Sequence, residues 1–205
     1  MHARVTRSEV ASDKVDEGVK RIKEVVIPQV KKLEGFKGGF WLIDRTSLKG
    51  FGLTLFADEA ALRATEGASA KIRAQAPSGV KITGVEQYEV VASVPTQGQV
   101  AAGRVTRFEG PLEQMEKLIK YTNETVIPAA KKLQGFKGGY WLADRKNGKG
   151  FALTLFETES ALRASEDASA GIRSDAAKQT GTTMAGVERY EVYAQAVAEP
   201  AMAAR

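Results

Sequence analysis

The spacing of apolar residues changes period several times over about the first ninety positions. "ARVTRSEV", from Ala3, is short and rich in β-branched residues, which predicts a strand. Val15, Val19, Ile22, Val26, Val30 and Leu33 then recur at helical spacing. Asp13 is placed to cap that helix and Pro28 to kink it. Lys31 and Lys32 lie where the macrodipole favours cations, and Gly35 is placed to end the helix. "FWLI" at Phe40 and "FGLTLF" at Phe51 read as two strands, with "TSLKG" as the hairpin turn between them. A second helix falls in "EAALRATEGASAKIR", where Glu59 and Arg63 are spaced to pair on the solvent side. "GVEQYEVVASV", from Gly84, closes a strand-helix-strand-strand-helix-strand unit.

The two middle strands are apolar on both sides. Strand side chains alternate, so Phe40 and Leu42 face one way and Trp41 and Ile43 the other. Phe51, Leu53 and Leu55 oppose Phe56 in the same manner. Helices can cover one side of such a sheet, and a second sheet is needed for the other.

The chain supplies that second sheet by repetition. Displaced by a hundred positions the sequence matches itself, and about two-thirds of the residues from Ile27 to Arg73 are identical in the second copy. "GFKGGFWLIDR" returns as "GFKGGYWLADR", "KGFGLTLF" as "KGFALTLF", and Pro111 suits the first turn of the second copy's first helix. The register then slips by two, since "GVEQYEV" at Gly84 meets "GVERYEV" at Gly186, and a loop is the expected place for the slip. This period is too long for a solenoid. The organisation expected is repeat 1 over 1–94, a linker over 95–103, repeat 2 over 104–197 and a loose tail over 198–205.

Composition narrows the function classes. Hydrophobic residues make up 43% and charged residues 27%, as in ordinary globular proteins. The net charge of +5 is spread among acids in both halves, without the concentrated stripe of a nucleic-acid reader. No apolar run is long enough to span a membrane and "MHARVTRSEV" lacks the apolar core of a signal peptide; with the scattered charge, neither nucleic acid nor membrane is an expected partner. There is no cysteine, which removes disulfides, thiolate metal sites and thiol nucleophiles and fits a cytoplasmic location. His2 is the sole histidine, at a terminus expected to fray, which argues against His-based metal sites and against Ser-His-Asp catalysis. "GFKGG" follows a helix rather than opening one, so it is no phosphate-cradling loop.

The element order, the "IP..KKL.GFKGG.W" junction and the "LTLF" to "ALRA" passage together resemble the antibiotic biosynthesis monooxygenase (ABM) superfamily of dimeric α+β barrels. The resemblance covers nearly the whole chain, twice. It implies an α+β fold in which two ferredoxin-like βαββαβ repeats form an intramolecular pseudo-dimeric barrel. It also implies a pocket between sheet and helices in each repeat. Haem-degrading relatives use an axial histidine, and some cofactor-free oxygenases of the family also employ one; no internal position here can match it.

On that resemblance, a cofactor-independent monooxygenase would oxidise a small aromatic or polycyclic phenol or quinol. The substrate-binding candidates are Gly39, Trp41 and Phe56, with Gly139, Trp141 and Phe156 in the second copy. Trp41 and Trp141 would stack on substrate, Arg45 and Arg145 would stabilise its anion, and Tyr88 and Tyr190 would hydrogen-bond an oxygen. Gly38 and Gly39 either open a cavity beside Trp41 or mark a bulge or close crossing. Asp44 and Glu86 are carboxylates near these strands. A non-catalytic barrel binding a small aromatic or apolar molecule, and a structural barrel without ligand, are the alternatives. Further oligomerisation is left open.

Overall fold

The computed structural model describes residues 1–197; the tail, 198–205, lies outside the described residues. Eight strands hydrogen-bond in the order β1-β3-β2-β8-β5-β7-β6-β4, which closes on itself as a barrel. Two helix-decorated βαββαβ repeats supply them, so the fold class is the α+β barrel that the resemblance implies. The described residues form two units, Met1–Glu86 with Tyr193–Val197, and Gln87–Val192.

In the first unit, β1 (His2–Val10) leads through a 3-10 turn (Ser12–Lys14) into α1 (Val15–Arg21), a π-helical turn (Ile22–Val26) and α2 (Ile27–Val30). The π turn stands immediately upstream of Pro28, where the sequence predicts a kink; wide i→i+5 turns absorb a residue that cannot donate. Asp13 makes no cap hydrogen bond, because it sits inside the 3-10 turn rather than ahead of it. Gly35 adopts φ +72°, a left-handed conformation suited to ending the helical run. β2 (Phe36–Asp44) and β3 (Lys49–Phe56) form the hairpin. Asp44 holds the turn through Thr46 N (2.9 Å) and Ser47 Oγ (2.5 Å). Desolvation works to raise the Asp44 pKa, and these hydrogen bonds outweigh it and hold it below the usual range. α3 (Glu59–Ala64), α4 (Glu66–Ala74) and the start of β4 (Val80–Val94) follow. The helix expected over "EAALRATEGASAKIR" is thus broken at Thr65, whose hydroxyl bonds back to the carbonyls of Ala61 and Leu62. His2 is paired with Phe56 in β1, so the expected fraying does not occur there.

The second unit repeats this plan with β5 (Ala102–Glu109), a 3-10 turn (Leu112–Gln114), α5 (Met115–Tyr121), a π turn (Thr122–Val126) and α6 (Ile127–Ala130). β6 (Phe136–Asp144), β7 (Lys149–Phe156), α7 (Glu159–Ala164), α8 (Glu166–Thr180) and the start of β8 (Thr183–Val197) follow, with the end of β4 from Gln87; β8 from Tyr193 belongs to the first unit. Pro111 precedes the 3-10 turn as its cap. The two-residue slip falls not in a loop alone but at a helix end: α8 has 15 residues and α4 only 9. Pro77 stands where repeat 2 has Ala177, and proline cannot continue the helix.

Candidate active site in the first repeat

In the first repeat, the pairing of β1, β3 and β2 places three rows of side chains on the sheet face that the helices cover. They are Arg4–Thr54–Gly39, Thr6–Gly52–Trp41 and Ser8–Gly50–Ile43. Between this face and α1, the π turn and α4 lies a cavity of about 150 Å³, open on one side. Its walls are mostly apolar and include Val26, Ile72, Ile82 and Tyr193 along with Trp41. The indole is 5% exposed and lies across the glycines. A Cβ at position 39 would meet Trp41 Cη2 at 2.8 Å, and one at position 52 would meet Cδ1 at 3.6 Å. The glycines therefore seat the indole, while a bulge between Phe36 and Gly38 resets the register.

One end of the cavity is polar in a way the sequence reading did not foresee. Arg4, from "RVTR", is only 3% exposed. Its guanidinium donates to Glu66 Oε2 (3.0 Å), Ser69 Oγ (2.7 Å) and the Leu62 carbonyl (2.8 Å), and lies 5.1 Å over the Phe56 ring. Arg73 donates to the other Glu66 oxygen at 2.5 Å. Burial pulls the Arg4 pKa down, and the Glu66 charge works against that fall. Desolvation would raise Glu66, but the Arg73 hydrogen bond and the Arg4 charge prevail, leaving it below the usual carboxylate range. Glu66 is thereby a poor proton acceptor at neutral pH. The signal for this cluster was present in the sequence: Arg4, Glu66, Ser69 and Arg73 all recur unchanged as Arg104, Glu166, Ser169 and Arg173.

The sequence-predicted residues separate into groups. Trp41 and Phe56 line the cavity and Gly39 lies beneath the indole. Arg45 is outside the lining and pairs with exposed Asp16 at 3.2 Å. It shares the parity of Trp41, but it stands past the end of β2, and the hairpin turn carries it to the surface. Tyr88 packs edge-on against Phe151, with centroids 5.0 Å apart, and is absent from both cavity linings. Tyr190 is buried, at 7% exposure, and is likewise absent from them. Glu86 pairs with Arg7.

In the second repeat Trp141 lines a smaller space of about 90 Å³ and Gly139 lies beneath it. Phe156 lies 5.3 Å from the Arg104 guanidinium carbon. Arg145 pairs with Glu89 and Glu116 at the surface. Arg104 repeats the buried arrangement, with Ser169 Oγ at 2.7 Å, the Leu162 carbonyl at 2.9 Å and Glu166 Oε2 at 3.1 Å. Among the described residues, no cluster of three or more His, Cys, Asp or Glu side chains is placed to hold a metal ion.

No family model matches the sequence. An uncharacterised protein of Mycobacterium tuberculosis is 24% identical over 184 residues, spanning 88% of this chain and 82% of its own. Three solved structures share the fold at low identity. A monooxygenase candidate from Lactobacillus acidophilus superimposes with a TM-score of 0.68 at 10% identity, over 96% of this chain and 95% of its own. An anthrone oxidase-like protein gives 0.64 at 15% identity, over 100% and 96%. A ferredoxin-fold protein of Listeria monocytogenes, related to antibiotic biosynthesis monooxygenases, gives 0.54 at 8% identity, over 93% and 94%. The chain has the fold of the ABM-type α+β barrels, tandem-duplicated on one polypeptide.

Proposed function

We propose that the chain is a cofactor-independent oxygenase working on a small phenol, quinol or related aromatic bound in the first-repeat cavity. The observation that carries this reading is the apolar cavity beside Trp41, closed at one end by guanidinium groups. The likeness in fold to a monooxygenase candidate and an anthrone oxidase-like protein points the same way. An indole wall holds a flat ring, and cationic groups at its edge favour the ionised substrate. The substrate anion would then give electrons to dioxygen, form a carbon–oxygen bond and lose water to leave a carbonyl. The protein's part is positioning, charge stabilisation and exclusion of solvent.

A second reading, binding without turnover, is favoured by the state of Glu66. No carboxylate is among the residues that line the cavity, and Glu66, behind two of its arginines, is already committed to them, so a substrate must arrive acidic or surrender its proton to water.

Oxygen uptake with a panel of anthrones and hydroquinones separates the two. The oxygenase reading expects saturable uptake that falls at least tenfold in kcat/KM on Trp41→Phe. Saturable quenching of tryptophan fluorescence with no uptake across the panel would establish the binder instead.

A further inference from the structure

The two cavities are built on the same rows, yet they differ in one kind of residue. Arg21, on α1, lines the first cavity, and the matching position in the second repeat is Tyr121. Three guanidinium side chains, Arg4, Arg21 and Arg73, therefore line the first cavity. Arg4 and Arg73 share the Glu66 carboxylate. Among the described residues no carboxylate pairs with Arg21. Its one hydrogen bond is a long one, 3.4 Å to the carbonyl of Ile72. That carbonyl is near the end of α4, so it fixes the guanidinium where α1 meets α4 without neutralising it. A half-buried cation facing apolar walls is costly until an anion joins it.

Size distinguishes the cavities as well. Ser8, Val15 and Gly18 leave space at the end of the first cavity nearest α1. In the second repeat Phe108, Met115 and Leu118 occupy the same positions and pack with Ala143. A dry apolar cavity of about 150 Å³ holds a benzene-sized group, and the open side leaves room for atoms beyond one ring.

We propose that the first repeat alone binds one small aromatic monoanion per chain, its ring beside Trp41 and its anionic group on Arg21 and Arg73. This deepens the reading given above, since it rests on that cavity being the ligand site, and it names the ionic class of the ligand. Arg21 is then a specificity-determining residue, and Phe108 and Leu118 are the reason the second repeat does not compete.

The test is calorimetric titration with 1-naphthoate and with 1-naphthalenemethanol, a neutral molecule of nearly the same shape. The expected result is one site per chain, with the carboxylate bound at least tenfold more tightly than the alcohol. Arg21→Met should remove that preference by weakening the carboxylate at least tenfold, and Arg21→Lys should keep most of it. Equal affinities in the unaltered protein, or a preference that survives Arg21→Met, would overturn the anion assignment and leave the cavity as a binding site. Two sites per chain would overturn the assignment to the first repeat. Failure of both molecules to bind would sink this inference together with the cavity reading. Binding as expected with no oxygen uptake would remove the oxygenase alone.

Discussion

Ser8, Gly18 and Arg21 in the first repeat correspond to Phe108, Leu118 and Tyr121 in the second, while Arg4, Glu66, Ser69 and Arg73 recur without change. The first set alters what the space between sheet and helices contains; the second set leaves it fixed to the sheet. In both repeats the buried arginine ties β1 or β5 to the helical segment through the carbonyl of Leu62 or Leu162 and the hydroxyl of Ser69 or Ser169, about two turns on. A cluster retained in a repeat whose cavity is smaller, about 90 Å³ against about 150 Å³, serves the fold first. Residues that diverge while the frame stays constant are the ones through which a ligand can select. Arg4 is thus a structural cation that happens to close a cavity, and Arg21 is the informative one.

The largest expected effect tests the structural half of that contrast. Arg4→Met and Arg104→Met each remove a side chain at most 3% exposed and strand a serine hydroxyl, a backbone carbonyl and part of a carboxylate's shell. Glu66 and Glu166 are partly exposed and keep Arg73 and Arg173, so the cost is that of leaving the buried hydroxyl and carbonyl unpaired, about 1–3 kcal/mol. Urea unfolding followed by tryptophan fluorescence should show losses of that order in both variants. A loss confined to one of them would show that the shared cluster does not have a shared role.

This cluster also marks the limit of what the sequence made legible. Element order, the doubled repeat and the two-sided strands were readable because apolar periodicity records burial directly. Trp41 shares a sheet face with Gly39 and Ile43, as strand alternation requires, and it lines the cavity. Parity alone then placed Arg45 beside it, whereas β2 ends at Asp44 and the turn redirects the chain. Arg4 was passed over because a charged residue in a strand reads as solvent-facing. Its partners lie some sixty residues on, with Ser69 at a separation of 65. Nothing local in "RVTR" shows that helix α4 will bring a carboxylate and a hydroxyl to it. Tyr193 was missed for a related reason: it lies on the last strand, far in sequence from the cavity it lines.

The next effect in size concerns what fills the cavities. Gly18→Leu introduces the residue that repeat 2 carries at the matching position. A Cβ at position 18 would have Val80 Cγ2 at 3.9 Å, an ordinary contact, so the first atom of the new side chain is accommodated. Leucine also exceeds glycine in helix propensity, by about 0.8 kcal/mol. The variant should be at least as stable as the parent and bind 1-naphthoate at least tenfold more weakly, about 1.4 kcal/mol. Retained affinity with unchanged stability would mean that the space beside Gly18 is not where the ligand goes, and the contrast between the cavities would lose its functional meaning.

The smallest effect isolates one further difference, at the carboxylate behind each buried arginine. Arg189 adds a third cation to Glu166, with its Nε donating at 3.0 Å, beside Arg104 and Arg173. Gln87 holds the matching sequence position in the first copy. Desolvation pushes Glu166 upward, but the hydrogen bonds from Arg173 and Arg189 and the charge of Arg104 bring its pKa down to about 2. A carboxylate with a depressed folded pKa stabilises the fold fully above its unfolded value of 4.5, and that stability is lost as pH falls through about 2. Arg189 is 49% exposed, so solvent screening holds its share below about 1 kcal/mol. Arg189→Gln should therefore lower the melting temperature slightly at pH 7, and the gap to the parent protein should close progressively between pH 4.5 and about 2. A gap that persists unchanged below this range would locate the arginine's contribution in packing of its stem rather than in its charge on Glu166.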